Sequence, residues 1–331
     1  MHSTLLPETL RAASVDDVLG DRRNRFFGEG FKRVTHALTG VTVQPAGPGA
    51  PARVDATAGI RIPGTWSRKG ETHQRPHLST VDAMVFGAQL TGLYAAHTHD
   101  LSAHDPFVVR SLAIKAGVAP DEDSLDHFAV SGTHRATAEG SAPDRLRTTM
   151  DCSVGSMTVR IEAEHAGTPG AAGTTGTPGA EGSYPMADHR PGPWCDAPYG
   201  APHHSRRQFL TDVRAGDHTA SAALTVTTGA DAQGSSLPPT MIDLFVSALQ
   251  LGQVLLYRLD GVDRATSNTL WMRSTTIVPA TTEPAGDDGR FQVTLARPTK
   301  LPTRQGTWRA AQITTTYAGM RLACNVAHLL P

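Results

Sequence analysis

Two stretches of the chain are apolar or small at almost every position, and they follow Ser79 and Thr240. Three residues after each hydroxyl residue comes an aspartate, Asp82 in the first stretch and Asp243 in the second. A hydroxyl residue followed by an acid at this spacing is typical of the first turn of an α-helix, where both side chains cap free backbone N–H groups. A surface helix would carry a polar stripe, so the pattern predicts two helices that are buried on most sides, the first continuing to about Tyr94.

The rest of the chain contains short runs of Val, Ile and Thr that alternate with polar residues and end at Gly, Pro, Ser or Asp, as β-strands do. In the first half the predicted strands are 31–43, 52–62, 106–117, 126–139, 144–152 and 155–165. In the second half they are 206–214, 218–228, 268–279, 290–297, 307–316 and 319–327. Each helix is thus preceded by two strands and followed by four. No helix separates the later strands, so we expect antiparallel neighbours.

The two halves also match in detail. Residues 81–85 align with 242–246, and in the next strand Arg110 aligns with Arg273 after a two-residue insertion. The shared element order and these matches indicate a duplication. One apolar helix and one antiparallel sheet have to cover each other, because neither can leave its apolar face in water. The sequence therefore predicts an α+β protein, a tandem double hot-dog in which each sheet wraps around one central helix.

Between the halves, from residue 166 to about 193, the chain is rich in Gly, Pro, Ala and Thr. Such a composition buries little apolar surface and is typical of a flexible linker. The predicted boundaries are an N-terminal hot-dog unit with its extension at 1–165, a linker at 166–204 and a C-terminal hot-dog unit at 205–331. In the extension, the adjacent aromatic residues of Asn24–Gly30 predict an ordered loop anchored by its rings.

Composition narrows the possible partners. The chain has 331 residues, with 30 Lys and Arg against 31 Asp and Glu, so no broad basic field favours nucleic acid. Its three cysteines, Cys152, Cys195 and Cys324, are too few and too far apart for a disulfide framework or a zinc site. There is no HExxH pattern, and we expect no metal. No leader pattern and no long uncharged apolar run is visible, which favours a cytoplasmic protein without a membrane partner.

The sequence resembles the avirulence D (AvrD) family. The resemblance is carried by Val18–Gly20, Asn24–Val34, Trp66–Lys69 and Leu78–Ala83. It implies an acyltransferase that joins a 3-oxoacyl thioester, carried by an acyl carrier protein or coenzyme A, to a small hydroxyketone or ketose such as xylulose. The product would be an acyl-sugar lactone signalling molecule of the syringolide type, and the A-factor synthases of butenolide signalling look like chemical relatives. No cofactor is expected.

A second resemblance leaves alternatives open. Residues 238–243, with Gln250 further on, look like the helix start of double-hot-dog dehydratases. The His-x-x-x-Gly-x-x-x-x-Pro motif of those enzymes is absent from the first half. A dehydratase or thioesterase acting on acyl thioesters, and a non-catalytic acyl-ligand-binding module, remain alternatives. A monomer with a pseudo-dimeric core and a homodimer are both compatible with the sequence.

Three residues are predicted to carry the chemistry. Asp82 and Asp243 could act as general base or orienting carboxylate beside the free N–H groups of a helix start, since both esterification and ring closure need a base. Alternatively each aspartate only caps its helix. His77, just before the first helix, could contact a thioester carbonyl or accept a proton, or it could face solvent. Ser67 and Cys152 lack the surroundings of a nucleophile motif, so direct transfer is favoured over an acyl-enzyme.

The predicted substrate-binding residues are Trp66, Arg68, Lys69, Gln89, Arg110, Gln250 and Arg273. The first three follow a Pro-Gly turn and could clamp a sugar or a phosphopantetheine phosphate, or form a surface loop pinned by a buried Trp. The other two basic residues lie on equivalent strands. They bind acceptor groups if they point inward and pair with acids across the sheet if they point outward. The two glutamines lie on the buried helices, where an amide must find a partner or line an acyl tunnel.

Overall fold

The computed structural model describes residues 9–167, 181–190, 192, 199–228, 236–281 and 289–331. By their contacts, the residues form two compact units. The N-terminal unit consists of Val34–Pro63 and Pro76–His204. The C-terminal unit consists of Met1–Arg33, Gly64–Arg75 and Ser205–Pro331. This grouping is discontinuous along the chain and differs from the contiguous division at 1–165, 166–204 and 205–331 that the sequence predicts.

The elements are numbered in chain order. The strands are β1 (Leu10–Ser14), β2 (Thr35–Gln44), β3 (Arg53–Arg61), β4 (Arg68–Lys69), β5 (Thr72–His73), β6 (Phe107–Lys115), β7 (Phe128–Glu139), β8 (Arg145–Val154), β9 (Met157–Ala166), β10 (Gly182–Met186), β11 (Arg207–Ala215), β12 (Thr219–Thr227), β13 (Trp271–Pro279), β14 (Phe291–Thr303), β15 (Gly306–Tyr317) and β16 (Met320–Leu329). The helices are α1 (Val15–Leu19), α2 (Thr80–His99) and α3 (Met241–Asp260). All twelve strands predicted from the sequence are present, with ends that shift by a few residues.

The N-terminal unit is an antiparallel sheet with α2 against its inner face. Its strand order is β6-β9-β8-β7-β3-β2-β10, and every neighbouring pair is antiparallel. Alternate residues of the strands point toward the helix, among them Met150 and Ile161, which are completely buried. On α2, Met84 and Phe86 are also completely buried. Sixteen of the twenty residues of α2 are buried, so the helix is covered on nearly all sides.

The C-terminal unit repeats this arrangement. Its strand order is β13-β16-β15-β14-β12-β11-β1, again antiparallel throughout, and α3 packs against the inner face. The bulge at Arg110 in β6 recurs at Arg273 in β13. The predicted α+β tandem double hot-dog is therefore confirmed. Among the described helices, α3 is long and apolar enough for a membrane span, but 89% of that stretch is buried.

The edge strands were not predicted. Strand β1 precedes the first long strand of the N-terminal unit, yet it pairs with β11 of the C-terminal unit. Strand β10 precedes the first long strand of the C-terminal unit, yet it pairs with β2 of the N-terminal unit. The edge strand of the C-terminal unit, β1, thus comes from the segment before β2. The edge strand of the N-terminal unit, β10, comes from the segment before β11. β10 lies inside the predicted linker and contains Pro185, which hides its signal in a Pro-rich segment.

Candidate functional site

Asp82 caps the start of α2. The backbone N–H and the Oγ of Ser79 both donate to Oδ2 of Asp82 at 2.7 Å, and the N–H of Asp82 donates back to Oγ of Ser79 at 3.2 Å. The aspartate is 1% exposed. This is the capping box that the sequence indicates. Because the cap uses Oδ2 alone, Oδ1 remains available to another group.

His36 supplies that group. It lies on β2, and its Nε2 is 2.8 Å from Oδ1 of Asp82. Its side chain is 3% exposed, and its ring meets Phe86 edge-on with the centroids 5.2 Å apart. A carboxylate oxygen only accepts hydrogen bonds, so Nε2 carries the proton that joins the two residues. In the neutral ring Nδ1 then carries the free electron pair.

Two further histidines lie beside His36. They belong to a short turn at Ala201–His204. His203 Nδ1 donates to the carbonyl oxygen of Gly200 at 2.6 Å, because a carbonyl can only accept. The other ring nitrogen, Nε2, is buried and has no hydrogen-bond partner among the described residues. One ring nitrogen from each of His36, His203 and His204 lies within 4.8 Å of the other two.

The surroundings of His203 favour its neutral form. Burial lowers the pKa of His203 to about 3, and the neighbouring His204 and His36 add to the effect. The rings of His203 and His204 are 4.0 Å apart at an interplanar angle of 32°. We call His36, His203 and His204 the imidazole cluster. The cluster and Asp82 all belong to the N-terminal unit.

Asp243 has the same capping geometry but different neighbours. Thr240 donates to Oδ2 from its backbone N–H and from Oγ1, both at 2.8 Å. Gln208 Nε2 donates to Oδ1 at 2.6 Å, and Arg206 Nε donates to Oδ2 at 2.9 Å. Gln208 on β11 therefore takes the role that His36 takes on β2. Neither an amide nitrogen nor a guanidinium has a free electron pair, so neither of these two partners of Asp243 can accept a proton.

The predicted clamp residues belong to the C-terminal unit, whereas Asp82 belongs to the N-terminal unit. Trp66 is buried, and its ring lies 4.7 Å from that of Phe26. Arg68 pairs with Glu71 at 2.8 Å. Lys69 Nζ donates to the carbonyl oxygen of Ser267 at 3.0 Å, and burial lowers the pKa of Lys69 to about 8 with help from a nearby arginine. These contacts of Arg68 and Lys69 favour a loop held by its own side chains over a clamp for a substrate.

The remaining predicted binding residues have separate environments. Arg110 donates to Oε1 of Glu164 at 2.7 Å across two neighbouring strands. Arg273 is exposed on β13. Gln250 Oε1 accepts a hydrogen bond from Arg25 Nη1 at 2.9 Å. The amide of Gln89 donates to the carbonyl oxygen of Tyr199 at 3.5 Å, and His77 is half-buried just before α2.

The described cysteines are poor nucleophiles. Cys152 and Cys324 are buried free thiols, and burial raises the pKa of each to about 12. A thiol with so high a pKa is protonated at neutral pH, and the thiolate is the reactive form. Cys195 lies outside the described residues. This agrees with the preference for direct transfer over an acyl-enzyme.

A recess of about 510 Å³ lies on the other face of β2 and β3. Thr35, Thr39 and Thr57 line it, and these residues alternate along the strands with buried ones such as Leu38 and Ala58. Side chains alternate between the two faces of a sheet, so the recess opens on the outer face, opposite α2. His36 and Ala58 also border the recess, although the side chain of His36 is only 3% exposed.

The sequence predicts Asp82 as a candidate residue, but it gives no signal that joins Asp82 to the imidazole cluster. His36 lies in a predicted strand at the same parity as the buried Leu38, so an inward-facing polar residue was the available signal. The sequence predicts a polar loop at His203 and His204. Their adjacency next to a predicted strand was visible, but their distance in sequence from His36 concealed the cluster.

Among solved structures, the chain is similar to the tesB protein of Mycobacterium avium subspecies paratuberculosis, with 8% identity, a TM-score of 0.36 and coverage of 84% of this chain and 92% of that one. It is also similar to the 12:0-ACP thioesterase of Umbellularia californica, with 13% identity, a TM-score of 0.32 and coverage of 83% and 97%. No curated protein matches the sequence. The family model described as Pseudomonas avirulence D protein (AvrD) matches residues 11–331, nearly the whole chain, and the protein therefore belongs to the AvrD family.

Proposed function

We propose that this protein transfers a 3-oxoacyl group from a thioester to a hydroxyl group of a small hydroxyketone or ketose such as xylulose. The product is an acyl-sugar lactone of the syringolide or butenolide type. Membership of the AvrD family supports the reaction class. The observation that carries the proposal is the pair formed by His36 and Asp82 at 2.8 Å, next to two more imidazoles at the start of α2.

The transfer requires a proton acceptor. The acceptor hydroxyl oxygen attacks the thioester carbonyl carbon, a C–O bond forms, and the C–S bond breaks. The hydroxyl proton finally resides on the released thiol, so the overall reaction needs no other reactant. A base near the hydroxyl lowers the barrier by taking the proton during the attack. In the N-terminal unit the imidazole cluster supplies electron pairs for this purpose, and Asp82 fixes the orientation of His36.

The same base serves ring closure. The carbon between the two carbonyl groups of a 3-oxoacyl ester is acidic, because the resulting negative charge is shared by both oxygens. Loss of its proton allows that carbon to attack the ketone carbonyl of the acceptor, and loss of water then gives the unsaturated lactone. One site that first accepts a hydroxyl proton and then a carbon-bound proton is sufficient for both steps.

The two aspartates have different roles in this proposal. Asp82 is a positioning residue that holds His36 through Oδ1 and caps α2 through Oδ2. Asp243 stabilises the C-terminal unit, because Gln208 and Arg206 occupy its oxygens. We therefore place the chemistry in the N-terminal unit. The donors of such a reaction, acyl carrier protein or coenzyme A thioesters, occur in the cytoplasm, where we place the protein.

The test is acceptor-dependent thiol release. Purified protein is incubated with 3-oxoacyl-coenzyme A, with and without xylulose, and thiol release is recorded while mass spectrometry detects the acyl ester and its lactone. We expect release only with the acceptor, and a loss of at least about 100-fold in His36→Gln. That variant copies Gln208 and so keeps the hydrogen bond to Asp82. The reciprocal variant Gln208→His is the control and retains activity.

Other outcomes identify the alternatives. Equal thiol release without any acceptor indicates a thioesterase, and turnover of a 3-hydroxyacyl thioester to an unsaturated one indicates a dehydratase. Tight binding of an acyl ligand without turnover of any thioester indicates a binding module. Each of these results contradicts the proposed transfer.

A further inference from the structure

We infer that His36, His203 and His204 form a binding site for one divalent transition-metal ion, with zinc the best match. The sequence alone predicts no metal, because no spacing of His or Cys residues suggests one. The fold brings one ring nitrogen from each histidine within 4.8 Å of the other two. The three residues come from β2 and from the turn before β11, within the N-terminal unit.

The hydrogen bonds behind the rings are those of a metal site. Histidine ligands usually donate their second N–H to a carboxylate or a backbone carbonyl, which fixes the ring and leaves the other nitrogen for the ion. His36 Nε2 donates to Asp82 Oδ1, so its Nδ1 faces away from the aspartate. His203 Nδ1 donates to the carbonyl of Gly200, so its Nε2 is the ligand nitrogen. In His36 and His203, a hydrogen bond from the second ring nitrogen therefore fixes the ring as it does in a metal ligand.

An independent observation points to a ligand at His203. This residue is 2% exposed, and its Nε2 is buried without a hydrogen-bond partner among the described residues. A buried polar atom without a partner is costly, and such atoms are rare in folded proteins. An ion held by the cluster would use this electron pair. The hydrogen bond from Nδ1 to Gly200 leaves Nε2 as the ligand nitrogen, and Nε2 is the atom that lacks a partner.

The type of ligand selects the class of ion. Imidazole nitrogens suit zinc and neighbouring transition metals, whereas magnesium and calcium prefer oxygen. Zinc–nitrogen distances are about 2.0–2.1 Å, so the ligand nitrogens of a tetrahedral site lie roughly 3.3 Å apart. The ligand nitrogens of the cluster lie within 4.8 Å of one another, so an ion would draw them together by roughly 1.5 Å or less. Three protein ligands leave a fourth position open, as in catalytic rather than structural zinc sites.

The ion would bind an oxygen-rich substrate, and this step depends on the proposed function. An α-hydroxyketone presents a carbonyl and a hydroxyl oxygen on adjacent carbons, and a 3-oxoacyl group presents two carbonyl oxygens. Both are chelating groups, and a zinc ion with three protein ligands can accept two oxygens by expanding from four to five ligands. A bound cation lowers the pKa of a coordinated hydroxyl group. With the ion bound, the imidazole electron pairs are used for coordination, so the hydroxyl proton passes to the departing thiolate sulfur and the atoms of the overall transfer balance as before.

The site is tested by metal binding, without any substrate. Protein freed of metal with a chelator is titrated with zinc sulfate in a calorimeter, and bound zinc is measured by mass spectrometry after dialysis. We expect one zinc ion per chain in this site. His203→Ala and His36→Gln should weaken binding by at least 100-fold, and Asp82→Asn by about 10–100-fold because it supports a ligand. Cobalt should give the visible absorption of a tetrahedral ion.

Matched variants separate this site from adventitious binding by the other histidines of the chain. Asp243→Asn removes the same charge from the other helix start and should leave zinc binding unchanged. Circular dichroism and thermal unfolding show which variants fold, and His204→Ala offers a second ligand deletion if His36→Gln does not. Absence of stoichiometric zinc binding, or binding that His203→Ala and His204→Ala leave unchanged, overturns the inference.

The failure of this inference is distinguishable from that of the proposed function. Stoichiometric zinc binding without acyl transfer leaves the metal site in place and refutes the transfer. Acyl transfer at full rate in chelator-treated protein supports the transfer and refutes the role of the ion in it.

Discussion

Oδ1 of Asp82 accepts a hydrogen bond from Nε2 of His36 at 2.8 Å, while Oδ2 of the same residue caps the helix that begins at Thr80. One buried carboxylate therefore connects the start of a core helix to an imidazole on the neighbouring sheet. In the C-terminal unit the corresponding carboxylate, that of Asp243, is held by an amide and a guanidinium. The duplicated fold contains two similar helix starts, but only the first has a histidine in this position.

Removing the side-chain cap of α2 or α3 should lower the free energy of unfolding by similar amounts, but only removal of the α2 cap should reduce acyl transfer. We expect Ser79→Ala and Thr240→Ala each to lower the free energy of unfolding by about 1 kcal/mol, since each loses the side-chain cap of its helix. Ser79→Ala should also reduce acyl transfer, because Oδ2 of Asp82 loses a donor next to His36. Urea unfolding and thiol release measure the two effects. Equal acyl-transfer activity in both variants would contradict the expected link between the Ser79 cap and His36.

The glutamines of the two core helices should differ in their contribution to the free energy of unfolding. Gln250 accepts a hydrogen bond from Arg25, whose side chain is 3% exposed and whose pKa burial lowers to about 10. Gln250→Leu leaves a buried guanidinium donor without this acceptor and should cost about 1–3 kcal/mol. Gln89→Leu is the matched control, since the bond from Gln89 to Tyr199 is longer, at 3.5 Å. Chemical unfolding should show a clearly smaller loss for Gln89→Leu.

The ion pair of Arg110 and Glu164 should make the free energy of unfolding fall in acid. Burial opposes ionisation of Glu164, but hydrogen bonds from Arg110 and Ser141 outweigh it and lower the pKa of Glu164 to about 2, against an ordinary value of 4.5. A lowered pKa in the folded state means that the carboxylate stabilises the protein above about pH 4.5. This stability is lost as the pH falls from 4.5 toward 2.

The variant Glu164→Gln checks this dependence. It should be less stable than the wild type at pH 7, and the difference should shrink as the pH falls from 4.5 toward 2. Urea unfolding at a series of pH values measures it. A difference that stays constant over this range contradicts the assigned pKa of Glu164.

The buried thiols should be unreactive in the folded protein. Burial raises the pKa of Cys152 and Cys324 to about 12, so little thiolate forms at pH 8, and neither sulfur is accessible. Treatment with a thiol reagent followed by peptide mass mapping should leave both residues unmodified until denaturant is added. Rapid modification of Cys152 under native conditions would instead favour a role for this residue in acyl transfer.

The sequence predicts the fold well because each half repeats strong local signals. The apolar runs after Ser79 and Thr240 and the capping aspartates specify the helices, and alternation specifies the long strands. The edge strands escaped prediction because five residues of Leu10–Ser14 or Gly182–Met186 carry little pattern of their own and depend on the partner strand. The apolar pattern ends near Tyr94, but the helical backbone of α2 continues through polar residues to His99.

The site was only partly predictable. The capping role of Asp82 is predictable because it is local, but residues on the same helix do not distinguish a cap from a catalytic group. Its partner His36 is 46 positions away and His203 is more distant still, so only the folded sheet shows that they are neighbours. The same holds for Asp243, whose partners Gln208 and Arg206 are 35 and 37 positions away and become visible only in the folded unit.

The central claim is that the chemistry belongs to the helix start at Asp82, and one paired measurement tests it most directly. Asp82→Asn and Asp243→Asn remove the same charge from the same capping geometry, and both are assayed for thiol release from 3-oxoacyl-coenzyme A in the presence of xylulose. We predict a loss of at least about 10-fold for Asp82→Asn and near wild-type activity for Asp243→Asn at a temperature where both are folded. Equal losses in the two variants, or a larger loss for Asp243→Asn, would contradict the account.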